Sequence, residues 1–523
     1  MIRRGLGIAI AVLLILTCIA PVAFAEEQQG GAGVSFDISG YYRVRYDNIF
    51  RTKWLYHDDS NWWTYFDQRA LLTPRLLISD RVSLNTQLDL LRNVNFGNNL
   101  ERPVPLAVVR RNEANLEQIQ SVNFEQRDVL QGNVLSQDMS NTDVLTNEEV
   151  DSIILRRLWG EARLPIGVVR VGRQGSNFGM GLFANDGDGY DDDYGDTYDR
   201  LLYGFRFGPW APVFMYDKVV EDTYKVADTD VHQFGWINNF KDIRWGNNNQ
   251  FDGGLYILNR SQQSTEARIW VYDAWARFML GGFTLEAEAV ALQGKMVVFD
   301  GEEIDDLEED GIPVGQGGGK VIIDAYLAAG KFGYTANTWG VGAEGGFSSP
   351  DDPEADRNFS NEAALAVMEA SSKASGDPDG AESKIDFITS VVENQQAFGD
   401  RMYSFAFDKD YNVDLIIWEV LMGGAVRNGI YAKVGGFLNP VDFFTMRLDV
   451  MKNWINEPGK GFDGTDASND LGWEMDWDFA LKAADHFEFG IQFGYAWPGT
   501  WFEDVYENTE NVYTMQTRFL FHF

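Results

Sequence analysis

The chain has 523 residues, 45% of them hydrophobic and 23% charged, with one Cys and 79 acidic against 43 basic side chains. This composition excludes a disordered chain, a collagen-like repeat and a disulfide-stapled mini-domain. An acidic chain repels phosphate, which excludes nucleic acid as a partner.

Residues 1–25 read as a secretory signal peptide, basic at Arg3 and Arg4, apolar from Leu6 to Leu16 and closing on Ala23-Phe24-Ala25. The single cysteine, Cys18, lies inside it, and Thr17 before it fits a lipidation site poorly. No later segment offers the roughly 18 consecutive apolar residues that a membrane helix needs, so if this exported chain enters a membrane it does so as a barrel. Residues 26–523 are expected to form that single domain.

From Val34 onward the pattern is alternation. Val34, Phe36, Ile38, Tyr42, Val44 and Tyr46 fall on one face of a strand, and Ser35, Asp37, Ser39, Arg43 and Arg45 on the other. The same pattern predicts about eighteen strands, near 34–48, 62–79, 82–95, 152–164, 167–177, 197–207, 211–222, 229–240, 250–262, 266–280, 283–299, 319–332, 336–348, 427–438, 441–455, 471–484, 486–497 and 511–523. No matching set of amphipathic helices covers the apolar face. The fold class is therefore all-β, an antiparallel transmembrane β-barrel.

The connections sort by length. Short ones fall at 79–81, 165–167, 208–210, 281–282, 439–440 and 485–486. Long ones include 96–151, 178–196, 300–318 and 349–426. Tight turns at one end and long loops at the other are the signature of outer-membrane barrels. Only the 240–249 connection is longer than this scheme wants. A signal peptide joined to a closing amphipathic strand that ends on Phe523 resembles the bacterial outer-membrane barrel class, where the terminal aromatic residue forms part of the assembly signal.

Most of the acidity lies in the long connections; 184–199 alone holds seven acids and no base. On the wall, Arg43, Arg45, Arg69, Arg75, Arg157, Arg163, Arg170, Arg200 and Arg206 are expected to line the pore on one side. Glu286, Glu288, Glu474, Asp476, Asp478 and Glu488 are expected to line it opposite. Facing rows of charge in an enclosed pore would orient anionic or polar solutes. The competing expectation is that carboxylates such as Asp37, Asp67, Asp89 and Glu161 pair with the arginines and brace the wall.

The stretch RRLWGEAR at 156–163, followed by VRVGRQ at 169–174, resembles the paired strands of the alginate-export barrel family. That resemblance implies an eighteen-stranded barrel with an arginine-lined conduit.

Loop 349–426 is expected to act as a constriction or a surface cap, with helix-like runs at 360–370 and 381–392. Asp186, Asp188 and Asp191 are candidate Ca²⁺ ligands in a dense acidic run, although the spacing is not that of an EF-hand. Loose bridging of a solvated loop through divalent ions is the stronger expectation, and no resident cofactor is expected. The four histidines, His57, His232, His486 and His522, belong to no hydrolase motif, so no catalytic residue is assigned.

The sequence thus predicts a porin-like channel for passive diffusion of small polar or anionic solutes, saccharides among them. Export of an anionic polysaccharide and a structural or adhesive surface barrel are the alternatives. Expected partners are outer-membrane lipid and lipopolysaccharide, the barrel-assembly machinery and the solute itself. Monomer and trimer stay open, since lipid-facing and subunit-facing positions share one apolar pattern.

Overall fold

The structure, a computed structural model of the chain, describes residues 34–51, 62–95, 109–111, 117–119, 153–220, 230–246, 248–263, 265–297, 320–350, 401–402, 404–459, 461, 465–506 and 509–523. The signal-peptide reading of 1–25, His57, the acidic stretch 300–318 and the helix-like runs at 360–370 and 381–392 lie outside the described residues.

Among the described residues eighteen strands form the wall. They are β1 Ser35–Phe50, β2 Trp62–Ser79, β3 Val82–Asn95, β4 Ile153–Leu164, β5 Gly167–Gly175 and β6 Thr197–Gly204. Next come β7 Trp210–Val220, β8 Val231–Trp245, β9 Asn249–Gln262, β10 Ala267–Leu280, β11 Phe283–Val297 and β12 Lys320–Thr335. The last six are β13 Trp339–Ser348, β14 Gly429–Val441, β15 Phe444–Ile455, β16 Asp470–Ala484, β17 Phe487–Pro498 and β18 Val512–His522. Each pairs antiparallel with its neighbours in the chain. The sheet closes where β1 meets β18, in a register running from Tyr41 opposite His522 to Phe50 opposite Tyr513. Closure leaves no free edge, which a sheet in lipid requires.

Alternation decides which side chains face out. Val171, Leu201, Phe234, Phe332, Val341 and Val434 are all exposed on the outer surface, a band suited to lipid. Aromatic pairs cluster near the short turns, with Phe251 on Phe278 at 4.7 Å and Phe283 on Tyr334 at 4.8 Å. At the opposite end Phe50 stacks on Tyr513 at 4.7 Å. The turn between β10 and β11 is two residues long, and Gly281 takes φ +63° there, as a tight hairpin demands.

Two expectations at the short-turn end need correction. The 240–249 connection is mostly strand, because β8 continues to Trp245 through a bulge between Phe240 and Ile243 in which Asp242 adopts φ +60°. Arg206 is not on the wall of β6, which ends at Gly204; it sits in the turn before β7, closed by a bridge between Phe207 and Trp210.

Inside, the outer half of the lumen is not polar all round. Tyr256, Leu258, Ile269, Val271, Val290 and Leu292 are inward and buried, and they pack against Phe178, Leu182 and Trp418 from two connections that fold into the barrel.

If the outer band is the lipid face, placing a cation on it is costly. Val434→Arg, near the middle of β14, is expected to lower stability by about 2–4 kcal/mol, as read from reversible unfolding in lipid vesicles.

Candidate functional site

Residues 176–196 leave the wall after β5 and cross the lumen before β6. The cause is electrostatic: their carboxylates and carbonyls meet a curved wall of inward guanidinium groups. Asp193 is held by Arg43 at 2.5 Å and by Arg45 at 2.8 Å. Asp188 pairs with Arg157 at 2.9 Å, and Asp191 pairs with Arg518. Arg69 donates to the Asp192 carbonyl oxygen, and Tyr190 packs edge-on against Tyr41 at 5.4 Å.

A bulge in β4, opposite Gln87 and Leu88, turns Arg156 inward beside Arg157. Arg156 then donates to the carbonyl oxygens of Gly187 at 3.1 Å and Asp186 at 3.0 Å. Gly187 and Gly195 both adopt positive φ around this guanidinium, and a Cβ on either would collide with it. Behind this layer a second set of ion pairs braces the wall: Arg69 with Asp89 at 2.7 Å, Arg45 with Asp67 at 2.9 Å, and Arg200 with Asp217 at 2.6 Å.

Of the acids expected opposite the arginines, only Glu286 and Glu288 on β11 lie across the lumen; closure of β1 on β18 brings Glu474, Asp476 and Asp478 on β16 and Glu488 on β17 round beside the arginine strands. Two of these acids hold backbone. Glu288 accepts the N–H groups of Met180 and Leu182, the latter at 3.1 Å. A second connection, 404–428, folds in before β14, and Glu474 accepts its Leu415 and Ile417 N–H groups at 3.0 and 2.8 Å. Asp414 caps the π-helical turn Ile417–Leu421 by accepting from Trp418 at 2.9 Å. The two connections also bind each other. Asp410 accepts from the N–H groups of Asp193 at 2.8 Å and Tyr194 at 3.1 Å, and the Asp408 N–H donates to the Leu182 carbonyl oxygen.

The remaining predicted residues fall elsewhere. Arg163 and Arg170 share Glu161, at 3.2 and 2.9 Å, and stay open to solvent on the short-turn side. Arg75 is half-buried with its Nε unbonded. Arg206 pairs with Asp242 at 3.1 Å. Glu286 accepts from the Trp275 indole at 2.9 Å, Asp478 from Gln492 at 3.0 Å, and Glu488 from Arg518 at 2.7 Å. Asp476 is inward, with one carboxylate oxygen buried and unbonded.

The main correction concerns 184–199, expected to be a solvated outer loop: its acidic run lies inside the barrel. Arginines supply counter-charge to it. Asp188 and Asp191 are occupied by them, and Asp186 accepts from Asn177 at 3.2 Å. Among the described residues no group of three acidic, His or Cys side chains is placed to hold a metal ion. The sequence pattern assigns no lumen contact to Arg156, Arg518 or Asp410, although Arg156 opens the 156–163 motif. Arg518 was legible on the polar face of β18, whereas the β4 bulge and the long-range partner of Asp410 have no local signal.

No protein-family model and no curated protein matches the sequence. Solved structures do. OccK9 (OpdG) of Pseudomonas aeruginosa is 11% identical, with a TM-score of 0.48 over 93% of this chain and 98% of that one. A BenF-like porin from Pseudomonas fluorescens Pf-5 is 9% identical with a TM-score of 0.46, over 93% and 98%. OpdK of Pseudomonas aeruginosa, solved with vanillate, is 8% identical with a TM-score of 0.46, over the same shares of 93% and 98%. At such identities the likeness is one of fold. The alginate-export resemblance of 156–174 is not carried by these structures. Closure and the eighteen strands seen among the described residues give the chain the architecture of an outer-membrane-type β-barrel.

Removing a partner from a buried ion pair costs about 3–5 kcal/mol. Asp193→Ala is therefore expected to speed amide exchange across 186–194 by about two orders of magnitude or more, with β1 and β2 unchanged. The packing of the loops should also depend on pH. Burial, reinforced by Asp410, pushes Asp192 up to about 7, and burial pushes Asp414 up to about 6. Their contributions are complete below the ordinary carboxylate range and are lost as pH rises through 6 to 7. Burial also disfavours the Asp193 carboxylate, but Arg45 and Arg43 outweigh it and hold the group far below its usual range. Its contribution is present above that range and is lost in acid. Exchange protection of 186–194 is thus expected to peak between about pH 4 and 6 and to fall on both sides.

Proposed function

We propose that the chain is a channel of the Gram-negative outer membrane that passes small polar or anionic solutes by diffusion, saccharides among them. One observation carries this reading. Below the folded-in connections, the inner wall of a closed barrel keeps charged side chains open to water, with Arg163, Arg170 and Arg447 exposing 57%, 43% and 51% of their side chains. Charged groups left wet inside a closed barrel serve a passing solute better than they serve stability, since exposed pairs contribute little to it. Arg163 and Arg170 share one carboxylate, so the β4 to β5 side carries excess positive charge and favours anions.

Export of a long polyanion fits less well. Arg43, Arg45, Arg69 and Arg157 would have to form a continuous cationic track, and they are covered by the chain's own carboxylates and carbonyls.

Planar-bilayer recording of the purified chain tests the reading. Open channels are expected, with a reversal potential shifted toward anions. Replacing Arg163 and Arg170 by Gln should reduce that shift. Replacing 178–194 by a short Gly/Ser linker should raise single-channel conductance several-fold; channels that never open, or conductance indifferent to the linker, would sink it.

A further inference from the structure

Arg173, Lys218 and Lys452 stand on the outward face of the wall near its long-loop end, and each has its own carboxylate: Asp199 at 2.9 Å, Asp230 and Asp470. Arg268 on β10 and Lys295 on β11 are exposed on the same face, and among the described residues neither has an ion pair or a side-chain hydrogen bond. They are also partners in register, Arg268 directly opposite Lys295. Like charges in that arrangement repel across a Cβ separation of about 5 Å, so the wall brings two cations together against their repulsion.

Their height on the wall says what would neutralise them. Along the outward face of β10, Trp270, Tyr272, Phe278 and Leu280 follow Arg268 toward the short turn, all of them exposed. From Trp270 to Leu280 the strand climbs about 26 Å along the barrel axis at ordinary rise and tilt, which is the depth of an apolar band about 25 Å tall. Arg268 and Lys295 lie about 5 Å beyond that band, past the girdle residue Trp270, at the level of the headgroups that face the long loops.

Neighbouring charges do not take up the pair. Asp324 is one row nearer the short turns, across from Gln293, and accepts from the Tyr326 hydroxyl at 2.6 Å. Glu266 lies in the turn between β9 and β10 at φ +47°, with no ion pair among the described residues. Each acid is about 5 Å, one row, off the line that joins the two cations. Ser261 of β9 is on that line, opposite Arg268, and His232 of β8 follows opposite Ser261, its Nδ1 engaged by the Tyr216 hydroxyl at 2.8 Å. A hydroxyl, a guanidinium and an ammonium on three adjacent strands therefore offer donors across about 10 Å, a set that suits an anion with several oxygens.

On the membrane side of the pair the wall is smooth. Trp270 and Tyr272 stack at 6.3 Å. Past them Ala274 and Ala276 of β10 pair with Ala289 and Ala287 of β11, and Ala328 of β12 pairs with Ala289. Such short side chains leave a shallow trough in which extended hydrocarbon makes dispersion contacts along its length.

We propose that Arg268 and Lys295, with Ser261, bind a phosphate group of the acylated glycolipid of the outer leaflet, whose acyl chains lie along the alanine trough. This goes beyond the channel reading and does not depend on what crosses the lumen; it needs only a barrel that stands in an outer membrane with its long loops outward.

Native mass spectrometry of the full-length chain released from detergent tests it, with diphosphoryl lipid A, the same lipid A stripped of both phosphates, and phosphatidylglycerol as probes. Diphosphoryl lipid A should be retained at the lowest concentration of the three. Arg268→Gln combined with Lys295→Gln should raise the concentration needed by about tenfold or more, while Lys452→Gln, at a cation with its own carboxylate, should leave it unchanged. Lys295→Glu gives Arg268 a partner within the chain: it should abolish retention and raise the unfolding temperature of the lipid-free protein, a rise that also shows the variant to be folded. Equal retention of the dephosphorylated lipid or of phosphatidylglycerol overturns the proposal, as does full retention by the double variant. Retention of diphosphoryl lipid A by a chain that never conducts upholds the site and sinks the channel reading instead. The comparison of the three probes needs no variant, so a variant that fails to fold does not remove the test.

Discussion

A charge inside a closed barrel must be compensated within reach of its own side chain, and this constraint shapes the lumen. Arg43 and Arg69 are fully buried, and an uncompensated guanidinium in that position would cost several kcal/mol. The wall acids Asp67 and Asp89 are too few for the inward arginines, and the deficit is met by the run of aspartates in 186–193. The acidic connection and the arginine wall therefore imply each other. Either alone would be an exposed charge cluster or an unstable core; together they form a packed partition.

The backbone of an irregular segment poses a second requirement. Strand edges in the wall are all paired, so N–H groups that enter the lumen have no ladder to join. Side chains take that role. Glu288 on β11 and Glu474 on β16 each accept two N–H groups of an entering connection, and Asp410 accepts two more where the connections touch. The acids that seemed to face the arginines across open water are acceptors for loop backbone. A row of facing opposite charges is thus replaced by two walls that grip the same partition by different chemistry, one by ion pairs and one by hydrogen bonds.

Much of the barrel was legible in the sequence. Period-two alternation located all eighteen strands, because one face must be apolar against lipid whatever fills the interior. The interior was less legible. Arg43 and Asp37 share a polar face, and alternation alone cannot tell a side chain that meets water from one that meets a folded-in loop. One signal was present: in β10 and β12, ARIWVYDAW and VIIDAYLAA are apolar on both faces in their outer halves, which a water-filled pore does not need. Such runs mark where the lumen is filled by protein, and they point to Phe178, Leu182 and Trp418 as the filling. The bulges at β4 and β8 left no trace of their own, since one or two extra residues look like an ordinary shift of phase.

The partition divides the lumen by chemistry as well as by space. Above it and within it, charge is matched pair by pair, so the long-range field of the acidic run is cancelled close to its source. Below it, the two sides of the barrel differ. Arg163 and Arg170 share the one Glu161 carboxylate on β4 and β5, while on the far side Arg277 pairs with Asp252 and Asp242 with Arg206. Residues 177–179 line this second side and continue directly into the arginine-bound run, so one segment of chain forms the roof of the lower vestibule and the ion-paired layer above it.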